Sequence, residues 1–405
     1  MKACGLVVEY NPFHNGHVLH ARESREKTGA DVVVAVMSGP FLQRGEPAIV
    51  SKWTRAEMAL NGGIDLVIEL PYAFATQKAE IFAKGSISLL ESLGCDSFCF
   101  GSEDGRIEPF ITAHRILSDN SVAFDAAIKS AMDAGNSYPA SAAQAYRSII
   151  NDDAGLDLTK PNNILGKEYV SAALSNGYSI RPYTIQRVAA GYHETKLSND
   201  PIASATGIRK AIHEHQELNS VSSYIPQQTM SGLEQYLTHY HALHDWEMYW
   251  PMLKYRILSS SLTELAGIYE IEEGIEHRIK EMAKQSSSFS GFMAALKTKR
   301  YTWTRLQRMC VHILTHTLKE QVIHNGQPAY IRLLGMNGRG QEYLRTVKKG
   351  LALPLISKLS SYQKQDIDTD LRAAQVYALG LPEPHQAALM KREYESPIIS
   401  RSRMV

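Results

Sequence analysis

Between Val32 and Met37 the chain reads VVVAVM, with no polar residue in the run. A strand with one wet face alternates apolar and polar residues, so an unbroken run of this length marks a strand buried on both faces. Similar runs recur at "ACGLVVEY" (3–10), "DLVIELP" (65–71) and "SFCFGSE" (97–103). Helical patterns lie between them, at about 17–27, 51–63 and 76–93, with Ser51 as an N-cap and Gly62 or Gly63 as a stop. Strand and helix alternating at this spacing predict an α/β fold, with a parallel sheet covered by helices on both sides. Ligands of such sheets sit beyond the carboxyl ends of the strands, where His14, Gly39, Pro71 and Gly101 fall.

Residues 106–178 read as mostly helical. "SIRPYTIQRV" (179–188) then gives a fifth strand, which Pro182 assigns to an edge or to an early strand position. A polar loop (189–201) leads into "IASATGIRKAIHE" (202–214), a loop entering a helix. After about residue 215 the alternation stops. Helical segments rich in aromatic and basic residues follow, then a short strand, a glycine turn and a helix across 329–349. The expected division is 1–215 and 216–405.

Over 405 residues the formal net charge is +1, so any nucleic-acid surface has to be a local patch. Cys4, Cys95, Cys99 and Cys310 lack zinc-site spacing, which fits buried thiols in a reducing, cytoplasmic setting. No apolar run approaches the ~18 residues of a membrane span, and no export signal is read.

The first strand runs into "NPFHNGH", Asn11 to His17, where a helix begins. Helix amino termini carry unpaired N–H donors and the positive end of the backbone dipole, so they attract phosphate. Two imidazoles there can donate to phosphoryl oxygens, or carry charge as those oxygens gain it. Gly16 permits close approach. Neither GxGxxG nor GxxxxGK[ST] follows the strand, which excludes the dinucleotide fingerprint and the P-loop.

His14-Asn15-Gly16-His17 resembles the HIGH-type signature of nucleotidyltransferases, and "SATGIR", Ser204 to Arg209, resembles the second signature of that superfamily. Together with "MSGPFLQRGEPA", "KWTRAEMAL", "GIDLVIELP" and "FGSE", these segments resemble the bacterial tRNA(Met) cytidine acetate ligase family along the whole chain, most sharply over the first 210 residues. The resemblance implies a Rossmann-like parallel-sheet nucleotidyltransferase domain followed by a mostly helical, tRNA-binding domain. It implies ATP contacts from Val7, Val8, Glu9, Tyr10, Asn11, Pro12, Phe13, His14, Asn15, Gly16, His17, Val18, Leu19 and His20, and from Gly101, Asn162 and Arg187. Ser204, Thr206 and Arg209 would grip the outer phosphates, with His14, His17 and Arg209 catalytic.

Plainer readings stand beside these. Asn162 suits a helix N-cap, Arg187 a surface position, and Ser204 an ordinary cap before a solvated Arg209. Lys52 and Arg55 either hold a carboxylate or the α phosphate, or form a solvated helix start. From Met282 to Lys319 no acidic residue occurs, while Lys284, Lys297, Lys299, Arg300, Arg305, Arg308 and Lys319 do, with Tyr301 and Trp303 interleaved. That pattern fits an RNA surface, or a helix with Trp303, Leu306 and Ile313 in the core and its cations in water.

The implied activity uses ATP to activate acetate and acetylates N4 of the wobble cytidine of elongator tRNA(Met). Mg2+ is expected with ATP, and no protein ligand set for it stands out. An adenylyltransferase acting on a small phosphorylated metabolite shares the first signature. A non-catalytic tRNA-binding protein is a further alternative. Oligomeric state is left open.

Overall fold

The apolar runs form the centre of one sheet. In the computed structural model, which describes residues 1–150, 155–187, 202–215, 217–322, 326–362 and 365–400, the strands are β1 (Ala3–Val8), β2 (Val32–Ser38), β3 (Leu66–Leu70), β4 (Ser97–Ser102), β5 (Arg181–Gln186), β6 (Ile331–Met336), β7 (Leu355–Ile356) and β8 (Ile398–Ile399). Their order is β5-β4-β1-β2-β3-β6-β7, with β8 also on β6. From β5 to β3 every pairing is parallel. β5 lies at the edge, as Pro182 requires.

Both faces of the centre are dry. Val32, Val34 and Val36 join Leu66, Ile68 and Leu70 in a core under the helices Ala79–Ser92 and Pro161–Ser175. Val33, Ala35 and Met37 face the opposite way, with Cys4, Leu6 and Val8, against the helices Asn15–Thr28, Lys52–Asn61 and Ala205–His215. All residues from Val32 to Met37 have zero exposure, which accounts for the unbroken apolar run.

The second part of the chain builds its own helical core around Trp246, Tyr249, Trp250, Phe292, Leu306 and Tyr377, and that core takes in Phe41 and Tyr72 from the first part. The strand expected within 329–349 is β6. It pairs antiparallel with β3, so the late segment extends the early sheet. The helix expected from His17 starts at Asn15, and that expected over 76–93 is Ala79–Ser92, preceded by a separate short helix, Tyr72–Ala75. The polar loop at 189–201, with Val188 of the expected fifth strand, lies outside the described residues. The cysteines are free and buried. No helix among the described residues is long and apolar enough to cross a membrane.

Candidate active site

β1 delivers the chain to a sharp turn at its carboxyl end, where Tyr10 adopts φ 49°, a left-handed conformation uncommon outside glycine. The turn brings the amino end of the helix Asn15–Thr28 to the edge of the sheet formed by the carboxyl ends of its central strands, with His14 as its N-cap. The Gly16 N–H donates to His14 Nδ1 at 3.1 Å, and the His14 backbone N–H donates to His17 Nδ1 at 3.2 Å. The two rings stack with centroids 3.7 Å apart. This is a capping box made of imidazoles. Because each Nδ1 accepts a hydrogen bond, each neutral ring carries its proton on Nε2.

Burial, then Arg187 and Arg209, lower the His14 pKa to about 3. Burial, then His14, His20 and Arg187, hold His17 well below the usual imidazole range. Burial and Arg187 put His20 at about 4. At neutral pH the histidines are therefore uncharged. Before a nucleotide binds, both the His14 and His17 rings are thus set up to donate through Nε2.

The segment carrying the second signature meets the first loop through Ile202, near Gly16, and through Arg209, on the Asn11 carbonyl. A Cβ on Gly16 would stand 2.9 Å from His14 Cε1 and 3.6 Å from Ile202 Cγ2. Ser204 caps the helix Ala205–His215 by accepting from the Gly207 N–H at 3.0 Å, and Thr206 is exposed. Arg209 is not a solvated arginine. It donates to the Asn11 carbonyl at 2.9 Å and to Glu46 at 2.5 Å. Asn11 Nδ2 and the Tyr10 hydroxyl are buried without a partner among the described residues. Asn15 turns outward and fixes the helix end to the Ser223 carbonyl at 3.0 Å.

On the β4–β5 side, Asn162 is not an N-cap, because Lys160 precedes the helix in that position. Its side-chain amide donates to Glu103 at 2.7 Å and accepts from Arg187 at 3.4 Å. A Cβ on Gly101 would lie 3.1 Å from Arg187 Cγ, so the bare backbone leaves that side chain its path. Glu103 is the organiser the sequence reading missed. It also accepts from the Asn163 backbone at 2.8 Å, and Asn163 returns a side-chain oxygen to the Glu103 and Asp104 amides at 3.1 and 3.2 Å. Its signal lay in "FGSE", where an acid ends an apolar strand.

The loop after β2 closes the third side. The Gln43 backbone donates to Glu9 at 2.7 Å, and burial raises the Glu9 pKa against the pull of that bond and of Arg44. Glu46, from the same loop, is the partner of Arg209. Lys52 and Arg55 reach neither solvent nor the site. Lys52 is buried between Glu69 and Glu393, 2.8 Å from each, and Arg55 has zero exposure. The site thus draws together His14, His17, His20, Arg187 and Arg209. No group of three or more His, Cys, Asp or Glu among the described residues could hold a metal ion.

The basic segment is less one-sided in space than in sequence. Arg300 pairs with Glu273 at 2.7 Å, Arg305 with Glu272 at 3.1 Å and Arg308 with Glu270 at 2.9 Å. Trp303 is 42% exposed rather than in the core, while Leu306 and Ile313 are fully buried.

A model of the HIGH nucleotidyl transferase family matches residues 1–392. A tRNA(Met) cytidine acetate ligase from Geobacillus sp. (strain WCH70) is 49% identical over 98% of this chain and 99% of its own. The protein of that name from Bacillus subtilis (strain 168) is 49% identical over 97% of this chain and 96% of its own. The crystal structure of Thermotoga maritima TmcAL bound with α-thio ATP superposes with a TM-score of 0.91 at 32% identity, over 99% of this chain and 100% of that one. Agreement of this extent, in sequence and in backbone, places the chain in the HIGH nucleotidyl transferase family, among the tRNA(Met) cytidine acetate ligases.

Proposed function

We propose that the protein activates acetate with ATP and transfers the acetyl group to N4 of the wobble cytidine of elongator tRNA(Met). The observation that carries this reading is the convergence of both signatures on one sheet edge. There two neutral imidazoles hold their Nδ1 atoms engaged by backbone amides, and Arg209 and Arg187 flank them.

In the first step an acetate oxygen bonds to the α phosphorus and the bond to the β-phosphate oxygen breaks, so pyrophosphate leaves with the electron pair. His14 and His17 donate Nε2–H bonds to phosphoryl oxygens as charge grows on them, and Arg209 neutralises the leaving group. Val7 to His20, Gly101, Asn162 and Arg187 line the nucleotide, and Ser204 and Thr206 stand by its outer phosphates. In the second step N4 bonds to the acetyl carbon, the acyl–oxygen bond breaks, AMP departs and the amine proton passes to solvent. Mg2+ would accompany the nucleotide, held by its phosphates, and would supply charge neutralisation there. Residues 1–215 carry the chemistry. Residues 216–405 hold the tRNA, a task supported by the exposed Trp303 beside Lys297, Lys299 and Arg300.

Acetate-stimulated ATP–pyrophosphate exchange tests the first step. Mass spectrometry of nucleosides from tRNA(Met) incubated with protein, ATP and acetate tests the second, with N4-acetylcytidine the expected product. A tRNA with uridine at the wobble position should yield none, because uridine has a carbonyl where cytidine has its amine. Exchange driven by a phosphorylated metabolite instead of acetate would select the small-molecule adenylyltransferase.

A further inference from the structure

Arg55 lies outside the reacting groups, yet its side chain joins the two loops that carry them. Its Nη1 donates to the Glu9 carbonyl at 2.6 Å and the Ser38 carbonyl at 3.1 Å, its Nη2 to the Gly39 carbonyl at 2.5 Å, and its Nε to the Val50 carbonyl at 3.3 Å. Glu9 opens the loop leading to His14. Ser38 and Gly39 open the loop after β2, and Val50 closes it. One planar guanidinium, whose fork presents donors in fixed directions, thus fixes the root of the first loop and both ends of the second. Burial lowers its pKa to about 10, so it remains a cation at neutral pH.

The span so clamped, residues 39–50, is also what reaches the site. It sends the Gln43 amide to Glu9 and Glu46 to Arg209, and its Ile49 amide donates to Asn11 at 2.7 Å. Its tip is seated in the helical half. Phe41 is fully buried in that core, the Gly45 carbonyl accepts from Trp246 at 2.9 Å, and a Cβ on Gly45 would lie 2.3 Å from the Arg308 backbone nitrogen. The far end of the loop is also held by the Tyr377 hydroxyl on the Ala48 carbonyl at 2.7 Å and the His244 amide on the Ile49 carbonyl at 2.9 Å, but among these groups only Arg55 binds both of its ends and the root of the His14 loop together.

We propose that Arg55 is a positioning residue for adenylate formation, setting the loop after β2 against the His14 loop so that Glu46 holds Arg209 in register with the imidazoles. This rests on the acetate-activating function proposed above. Gly101, Asn162 and Arg187 lie on elements that Arg55 does not touch, so their share of nucleotide binding should be kept when it is replaced, while the loop rooted at Glu9 loses part of its own.

The experiment compares wild type with R55K. Lysine keeps the charge, but one ammonium cannot reach four carbonyls on two loops. In acetate-dependent exchange, kcat should fall by about 10- to 100-fold, the scale of a small misplacement of reacting groups. The Kd for ATP, measured by calorimetry, should move by clearly less than kcat does, because Gly101, Asn162 and Arg187 keep their places. Hydrogen exchange should show lost protection at 39–50 with β4 and β5 unchanged. Millimolar guanidinium should restore part of the activity of R55A. A folded R55K with wild-type kcat, or with unchanged protection at 39–50, would overturn the proposal. Loss of the folded protein in R55K and R55A alike would assign Arg55 to stability alone and overturn it equally. If wild type shows no acetate-dependent exchange, the proposed activity fails, while hydrogen exchange still reads the loop clamp.

Discussion

Two regions of the molecule set arginines beside glutamates, and they do so to different ends. At the sheet edge, Arg209 holds Glu46 and the Asn11 carbonyl on one side of His14, while Arg187 reaches Asn162 on the other. Both guanidinium groups depress the His14 pKa, so their field is felt in the site. In the helical half, Arg300, Arg305 and Arg308 each meet a carboxylate from Glu270–Glu273, a loop 27 to 38 residues upstream. There the charges cancel in place. A stretch without acids is a property of the sequence, whereas an electrostatic field belongs to whatever the fold brings next to that stretch.

The largest effect that could break this contrast is at His17. H17A should lower acetate-dependent pyrophosphate exchange by about 100-fold, the scale of one lost transition-state donor, with the melting temperature close to wild type. R209A should behave similarly. Near-normal exchange in a folded H17A would mean that the sheet edge, like the helical arginine row, is only a structural arrangement.

Next in size is stability. Arg308 and Glu270 have side-chain exposures of 9% and 10%, so R308A leaves a carboxylate with little water and no partner. It should cost about 3 kcal/mol in urea unfolding, the usual result of halving a buried pair. R300A removes a pair open to solvent and should leave the unfolding midpoint where it is. Equal effects from the two would show that burial does not separate them.

What could be read in advance divides along the same line. The central strands, and for β5 the choice between an edge and an early-strand position, followed from local pattern, because burial on both faces and a proline leave marks on contiguous residues, whereas the pairing of residues 14–17 with 204–209 came from the resemblance. Long-range partners left none. Nothing next to Arg55 in the sequence announces that its guanidinium will find the carbonyls of Glu9 and Ser38; its three-residue spacing from Lys52 suggested a shared helix face that either held a carboxylate or the α phosphate or lay in water. The glutamates opposite Arg300, Arg305 and Arg308 were out of sight for the same reason. The sequence marked His14 as a candidate phosphate donor but not as a helix cap, since that duty depends on its extended backbone and on a ring stack with His17. Trp303 looked like core by helical periodicity, yet it stands in the first helical position, where the far side of the turn is open.

Proton uptake gives a third comparison, between the histidines of the site and those of the helical half. Burial puts the pKa of His14 at about 3 and of His20 at about 4 in the site, and of His244 and His312 at about 3 in the helical half. An unfolded histidine titrates near ~6.5. Below that pH the unfolded chain binds protons that the folded one refuses, so stability must fall as pH drops from 7 to 5. Asp370, raised by burial to about 6, works the other way over part of that range, as a single group against several. H312Q should remove about 2 kcal/mol of the loss between pH 6.5 and 5. A stability profile flat in that window would mean that these imidazoles are charged in the folded protein, and with them the pair at the site.

The smallest expected effect concerns how tRNA would feel the helical half. Each phosphate neutralised by a cation releases counterions, which lowers the log–log slope of affinity against salt by about 0.9 per contact. A cation already paired with a carboxylate has less to release, since binding phosphate there exchanges one anion for another. Among the described residues no carboxylate lies in ion-pair range of Lys297 or Lys299, whereas Arg300 and Arg305 have Glu273 and Glu272 at 2.7 and 3.1 Å. Replacing both lysines by alanine should therefore flatten the slope by more than replacing both arginines does, about 1 to 2 against less than 1. Filter binding of tRNA(Met) across a salt series reads both, and ATP binding serves as the control. If the arginine pair carries the larger slope, Glu272 and Glu273 release their partners when RNA arrives, and the cancellation seen in the free protein would be a resting arrangement of an RNA-binding surface.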